Sequence, residues 1–486
     1  MKLQIVFGLW IALSGTAVAA GFSDGNSYSS VVSADGRWVA FESDANNLVP
    51  GNGDSQQHIY LRDRQSGSTR RITNRLDGKP ADQPCNLNGM SSDGRYILFD
   101  TYARGLVDLP DPPNHDRDYW QDGYVYDRLT GKTELVTITP TGKRNLSMVF
   151  TQAISPDGRF VLFYAWNNWD EDYNRGTEQV YVRDRVLGTT ERVSLAFDGG
   201  ATNRHSIANS ISADGRYVVY SSEASNILPN DKNEFHDVFL YDRQLAKTYL
   251  VSKTSEDVSG NGHSVGGLIS PDGRYVAYYT MASNIIAGDT NEITDVAIYD
   301  RETGQTMGVL TSRGGAGGSW PFRAQDFAFG GGKIFFSFCQ DLAPGDTNKT
   351  CDIYSYDLLS GEIRQESLGP GGIQGNSEWG PALYSVSPDG RFLTYAIDST
   401  NFVPGDTFAN FEVYFRNLMT GDFELISQPG SLKLKVKHRS PEGDRAVAQE
   451  EDRVGENIER ARPEQADQNE QTVHRKPFEF SRVIKR

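Results

Sequence analysis

The chain has no apolar run long enough to cross a bilayer as a helix. Its one hydrophobic stretch, Leu3 to Leu13, is too short, follows Lys2 and precedes the small residues Ala17-Val18-Ala19. That order is the layout of a secretory leader, so residues 1–19 read as a signal peptide. No cysteine follows the cleavage point, which argues against a lipid anchor there. Helical periodicity is absent from the remainder up to residue 430, which excludes a helix-rich domain. Basic residues are short as well. With the 14 basic and 11 acidic residues of 1–20 and 431–486 set aside, 34 basic and 53 acidic residues are left, a net charge of −19. Such a surface repels nucleic acid and acidic membranes and suits divalent cations or basic partners.

Cysteine is the scarcest reactive side chain, with only Cys85, Cys339 and Cys351. Cys339 ends one apolar run and Cys351 begins the next, with Pro344-Gly345-Asp346-Thr347-Asn348 between them. The two bracket a hairpin-like loop, so an export compartment favours a Cys339–Cys351 disulfide with Cys85 left over; two free thiols are the alternative.

What the chain does have is one segment written seven times. Its cleanest copy runs from Ile269-Ser270-Pro271-Asp272-Gly273-Arg274 to Tyr299-Asp300-Arg301. The Asp-Gly core recurs at Asp35, Asp93, Asp157, Asp214, Asp272 and Asp389, at steps of 58, 64, 57, 58 and finally 117 residues. The last step is two periods, which puts the missing copy at Gly330-Gly331-Gly332-Lys333. A fixed period of this length marks a repeat architecture. In the third unit, Gln152-Ala153-Ile154, Phe160-Val161-Leu162-Phe163, Val180-Tyr181-Val182 and Thr190-Glu191-Arg192-Val193 read as four strands separated by Asp-Gly and Gly turns. Four-stranded units repeated radially predict an all-β fold, a seven-bladed β-propeller of four-stranded antiparallel blades over 20–430. Units one and seven are complete and in phase, so the ring is expected to close by packing of faces alone. Residues 431–486 are rich in Glu, Arg, Gln and Asp and read as a charged, disordered tail; Leu432 to Val436 is either a last edge strand or its beginning.

Ser-x-Asp-Gly-Arg before the second strand, with Tyr126-Asp127-Arg128, Tyr241-Asp242-Arg243 and Tyr299-Asp300-Arg301 after the third, resembles the TolB-like, WD-repeat-like β-propeller family of exported bacterial proteins. The resemblance spans the chain between leader and tail. It implies the propeller fold and an exported, periplasmic or secreted setting, and leaves function open because such propellers serve many roles.

A feature present in every unit is explained by what every blade must do. The Asp-Gly turns supply backbone torsions other residues resist, and the Asp-Arg pairs are expected to bind backbone within or between blades. Gly262-His263-Ser264-Val265-Gly266 matches a nucleophile-elbow pattern. It leads into a strand, however, where an elbow follows one. A second recurring pattern, Asp-x-Asn-x-x-x-Asp, lies between second and third strands at Asp231, Asn233, Asp237, at Asp289, Asn291, Asp295 and at Asp346, Asn348, Asp352. Oxygen ligands at alternate positions suit calcium, the one cofactor these loops admit; the plainer reading is loop capping by Asp and Asn.

A site for one asymmetric ligand must come from positions that break the repeat. Trp166 and Trp169 stand in an aromatic, acidic loop of unit three, Trp320 and Arg323 precede unit six, and Glu378 and Trp379 precede unit seven. These residues are expected on one face, where rings beside carboxylates stack on sugars or grip cations; packing of the rings as a lid is the alternative. His205 and His263 occupy matching places before units four and five and would share a metal only with further ligands. The leading reading is a non-catalytic propeller that binds a protein, peptide or glycan on its loop face, without nucleic acid or a membrane span. A polysaccharide lyase using His205, His263 and Arg323 is the alternative, and a calcium-stabilised scaffold the third.

Overall fold

A computed structural model of the chain describes residues 22–51, 53–109, 121–144, 148–166, 176–229, 231, 233–290, 294–309, 327–339, 341–377, 380–407, 410–429 and 435–436. The leader and nearly all of the tail lie outside them. Seven antiparallel sheets follow one another, each built from four strands consecutive in sequence, over 27–71, 85–135, 149–192, 206–250, 264–308, 327–365 and 382–425. Blade seven adds a fifth strand, Lys435–Val436, along Phe423–Leu425. The fold is the expected seven-bladed propeller, and the missing repeat is blade six, with Phe327–Gly330 and Lys333–Phe338 flanking its glycine turn.

The middle strands are buried on both sides because each blade is covered by two neighbours. Tyr217–Ser222 and Asp237–Asp242 of blade four are buried throughout, which is why they read as continuous apolar and aromatic runs rather than alternating ones. The core lies between blades: Tyr217, Val219, Val238 and Leu240 of blade four meet Val276, Tyr278 and Ala297 of blade five. Fourth strands such as Ser68–Arg71 form the exposed rim.

The repeated motif is a lock at the blade base. In blade two, Ser91 Oγ donates to Asp93 Oδ1 (2.6 Å), which also accepts the Arg95 N–H (2.9 Å). Arg95 then forks onto Asp127, at 3.1 and 2.9 Å. The same arginine–carboxylate fork joins Arg37 to Asp63, Arg159 to Asp184, Arg216 to Asp242 and Arg274 to Asp300. Arg128 donates to the Gly94 carbonyl (2.8 Å), and its guanidinium lies 4.0 Å from the Trp38 ring centroid of blade one. Both members of the Asp-Arg pair therefore bind backbone, as expected: the aspartate accepts the N–H two residues on, as Asp127 does from Leu129 at 2.9 Å, and also takes the arginine of the preceding turn. Gly94, at φ +68°, rests on Trp38, as Gly158 rests on Tyr96, Gly215 on Phe160 and Gly273 on Tyr217.

The ring closes with the same contacts. Gly36 rests on Phe392. The Ser27 N–H donates to the Phe411 carbonyl at 2.7 Å, as Ser264 does to His236 at 2.7 Å within the ring. Arg64 pairs with Glu424 at 3.0 Å, as Arg185 pairs with Glu134 at 2.8 Å. No strand is exchanged between the ends among the described residues, as the in-phase repeats predict.

Blade six departs from the pattern. A two-residue turn, Gly331-Gly332, replaces the longer turn that carries Asp-Gly-Arg, Lys333 stands opposite Asp357 where Tyr275 stands opposite Asp300, and Leu358 follows Asp357. In blade seven, Asn417 and Leu418 replace Asp-Arg, and Arg391 folds back on Asp389. At the base of the six–seven junction the turns meet backbone on backbone, with the Gly331 N–H donating to Pro388 O at 3.1 Å, while Arg416 donates to the Glu366 carbonyl farther out. The Cys339–Cys351 disulfide is present in blade six, where it joins the feet of the loop between second and third strands. Cys85 is free and buried.

Candidate binding face of blades three to five

Each blade's chain starts at the loop face, turns at the base, returns, and repeats the excursion. Loops between second and third strands and connections between blades therefore share one face. Trp166 ends the second strand of blade three, Phe160–Trp166, and Glu178 begins its third, Glu178–Asp184. His205 precedes Ser206–Ile211 of blade four, His236 precedes Asp237–Asp242, and His263 precedes Ser264–Ile269 of blade five. These residues come together across three adjacent blades.

Trp166 is 42 % exposed. Its ring meets the His205 imidazole edge-on at 5.8 Å between centroids. The Glu178 carboxylate accepts a hydrogen bond from Trp166 and lies 3.5 Å from His205 Nδ1. Burial pushes the Glu178 carboxyl above the ordinary range, against the pull of His205. Further round the face, His263 lies edge-on to Phe235 at 4.9 Å and tilted against His236 at 5.6 Å. Burial pushes the His236 imidazole down; Glu223 opposes that, and His263 and His205 add to it.

The histidines have a structural task. His205 Nδ1 accepts the Glu178 N–H at 3.3 Å, and His263 Nδ1 accepts the His236 N–H at 3.0 Å. Asn26 does the same at the closing junction, taking the Phe411 N–H at 3.0 Å. A neutral imidazole accepting at Nδ1 carries its proton on Nε2, so neither ring has a lone pair left over at Nδ1 for a metal. No group of three or more His, Cys, Asp or Glu side chains is arranged to hold a metal among the described residues. Ser264, in the elbow-like pentapeptide, is buried at the start of a strand and shares a hydrogen bond with Thr280 Oγ1 at 2.9 Å.

Of the predicted aromatic set, Trp166 is described; Trp169, Trp320, Arg323, Glu378 and Trp379 lie outside the described residues. Glu178, His236 and Phe235 were missed by sequence reasoning. They sit at the entry to a third strand, a position whose regular backbone conceals that its side chain opens on the loop face. Of the acidic loops, Asp231, Asn233 and Asp237 in blade four and Asp346, Asn348 and Asp352 in blade six are described in full; Asn291 of blade five is outside, while Asp295 is buried and Asp289 partly so.

No protein-family model and no curated protein matches the chain. Solved structures of low identity share its propeller form. The β-propeller domain of the Trilobed protease from Pyrococcus furiosus is 14% identical over 82% of this chain and 98% of that one, with a TM-score of 0.49. An oligogalacturonate lyase in complex with manganese is 11% identical over 82% and 90%, also at 0.49. The putative TolB from Agrobacterium tumefaciens is 16% identical over 63% and 87%, at 0.37. Likeness at this level carries no argument about activity.

Proposed function

We propose that this chain is an exported, non-catalytic binding propeller that grips a basic peptide or protein segment on the loop face of blades three to five. Trp166 carries the reading. A large ring left 42 % exposed, held edge-on by His205 and hydrogen-bonded to a carboxylate, offers an aromatic face and a negative charge at one point. Lysine and arginine are bound by that combination through cation–π and charge-assisted contacts. The net −19 of residues 21–430 draws basic partners to the surface. Export is supported by the leader and by the Cys339–Cys351 disulfide, which persists in oxidising compartments.

Titration calorimetry with a lysine- and arginine-rich peptide library, and in parallel with neutral oligosaccharides, tests this. Binding of basic peptides that Trp166→Ala weakens about tenfold, a loss of roughly 1.4 kcal/mol, is expected. Glu178→Gln should weaken it further at low salt. Binding of oligosaccharides alone would redirect the reading to a glycan, and peptide binding unaffected by Trp166→Ala would remove the site.

A further inference from the structure

The residue next to the start of each third strand is a natural internal comparison, because seven blades solve the same local problem. That position is His58, Asp122, Gln179, Asp237, Asp295, Asp352 and Glu412 in blades one to seven. Its side chain is buried in all seven. A hydroxyl after the fourth strand meets it repeatedly: Thr137 for Asp122, Ser194 for Gln179, Ser252 for Asp237 at 2.6 Å and Ser367 for Asp352 at 2.5 Å.

A buried charge needs a counter-charge. The first three blades each provide a solution within the chain. His58 Nε2 lies 3.2 Å from the Asp54 carboxylate. Asp122 is held by Arg144 at 2.9 Å. Gln179 has no charge to neutralise. Blades four and six do the opposite and add a second acid. Asp231 stands six residues before Asp237, and Asp346 six before Asp352, each with an asparagine between. None of these four carboxylates makes an ion pair with a described residue.

The oxygens are also left over. Asp231 is 9 % exposed, Asp346 7 % and Asp352 1 %. Asp231 Oδ1, Asp346 Oδ1 and Asp352 Oδ2 are buried without a hydrogen-bond partner. The other Asp346 oxygen takes the Tyr354 hydroxyl. In blade four Asn233 Nδ2 donates to Asp237 Oδ2 at 2.9 Å and to the Gly260 carbonyl at 3.2 Å, while its Oδ1 accepts the Phe235 N–H at 3.0 Å, so the amide holds the loop in shape around the two acids. Each loop thus collects two carboxylates, hard oxygen donors, with buried lone pairs that no described residue satisfies.

We propose that loops 231–237 and 346–352 each bind one Ca²⁺. Two carboxylates match its charge, and it accepts an irregular shell completed by backbone carbonyls and water. Magnesium demands a regular octahedron and gives up its waters reluctantly. Zinc prefers nitrogen and sulfur donors, whereas the paired acids of each loop offer oxygen and Cys351 of the second is held in the disulfide. Binding would tie the loop to the third strand of its own blade.

The test uses the full chain after EDTA treatment and dialysis. Calcium titration should show at least two equivalents bound, with Kd about 10⁻⁴–10⁻³ M as in extracellular calcium modules. Thermal melts should rise with CaCl₂ and little with equal MgCl₂. Asp231→Asn and Asp346→Asn should each remove one equivalent, and the pair two. Terbium supplies a second readout. Its emission should fall when calcium is added, and the part sensitised by Tyr354 at the second loop should be lost in Tyr354→Phe, whatever the stability of the acid variants. No uptake of calcium at ten times the expected Kd, or full stoichiometry retained in the double variant, overturns the proposal. Stabilisation of the calcium-free protein by Asp346→Asn without any calcium response would mean that the paired acids share a proton instead.

Discussion

At Gly215 the backbone sits at φ +71°, and a Cβ built there would lie 2.2 Å from the Phe160 ring of the neighbouring blade. Two separate penalties therefore attach to one methyl group: left-handed torsion and overlap with a ring that cannot retreat. Gly215→Ala is expected to cost about 2–5 kcal/mol, the sum of the torsional and overpacking ranges. Gly142 has φ +79° and nothing within 4 Å of the same point, so Gly142→Ala should cost only the torsion, about 1–2 kcal/mol. Urea unfolding of the two variants separates the terms; equal losses would show that the ring contact does not matter. The aspartates of the same lock set a pH dependence. The Arg95 fork holds the Asp127 carboxyl down to about 2, and Arg37 does the same for Asp63, against an ordinary 3.8. A depressed folded value means that the stabilisation is complete above 3.8 and is lost as pH falls through about 2. The melting temperature should drop across that window, and Asp127→Asn should flatten the drop.

Among the blades, the sixth has the fewest devices. It lacks the arginine fork, the glycine–aromatic contact and the guanidinium cap, and carries a disulfide across one loop. Closing a loop of sequence separation 12 stabilises by about 3 kcal/mol in the chain-entropy picture. Reduction should therefore open blade six before the rest, and hydrogen exchange followed by mass spectrometry should show protection lost first over 327–365. Uniform loss across all blades would contradict this. Thiol labelling gives a companion result: no cysteine reacts in the native protein, since Cys85 is buried with its thiol pushed up to about 12, and one reacts after unfolding without reductant. The blades were legible in sequence because Asp-Gly turns and fully buried strands leave strong, periodic marks. Their joints were not. Asp127 meets Arg95, 32 residues away, and Gly94 meets Trp38 on another blade; neither separation is a local signal. Of the site, Trp166, His205 and His263 were legible, because an indole and two histidines break or punctuate an otherwise regular repeat. Glu178 and His236 looked like ordinary strand entries.

The seven blades follow one another in chain order, and they close a ring in which no junction is marked as the start. Charge illustrates this: the excess acid is spread over 21–430, so attraction of basic partners should weaken with added salt whichever loop they reach. The closing junction is the sharper case. Gly36 on Phe392, Ser27 on Phe411 and Arg64 on Glu424 repeat contacts found between blades that are covalently joined. A junction that does not depend on its peptide link can exchange that link with any equivalent one. A circular permutant, with a short Gly/Ser bridge from Gln428 to Ser23 and new termini between Ser194 and Asn203, should then fold to the same ring. Its melting temperature should lie within a few degrees of the parent, because loop-closure entropy changes slowly with length. Failure to fold would mean that the two ends carry information the other junctions lack. Success would make the origin of the chain, as distinct from its order, a neutral choice.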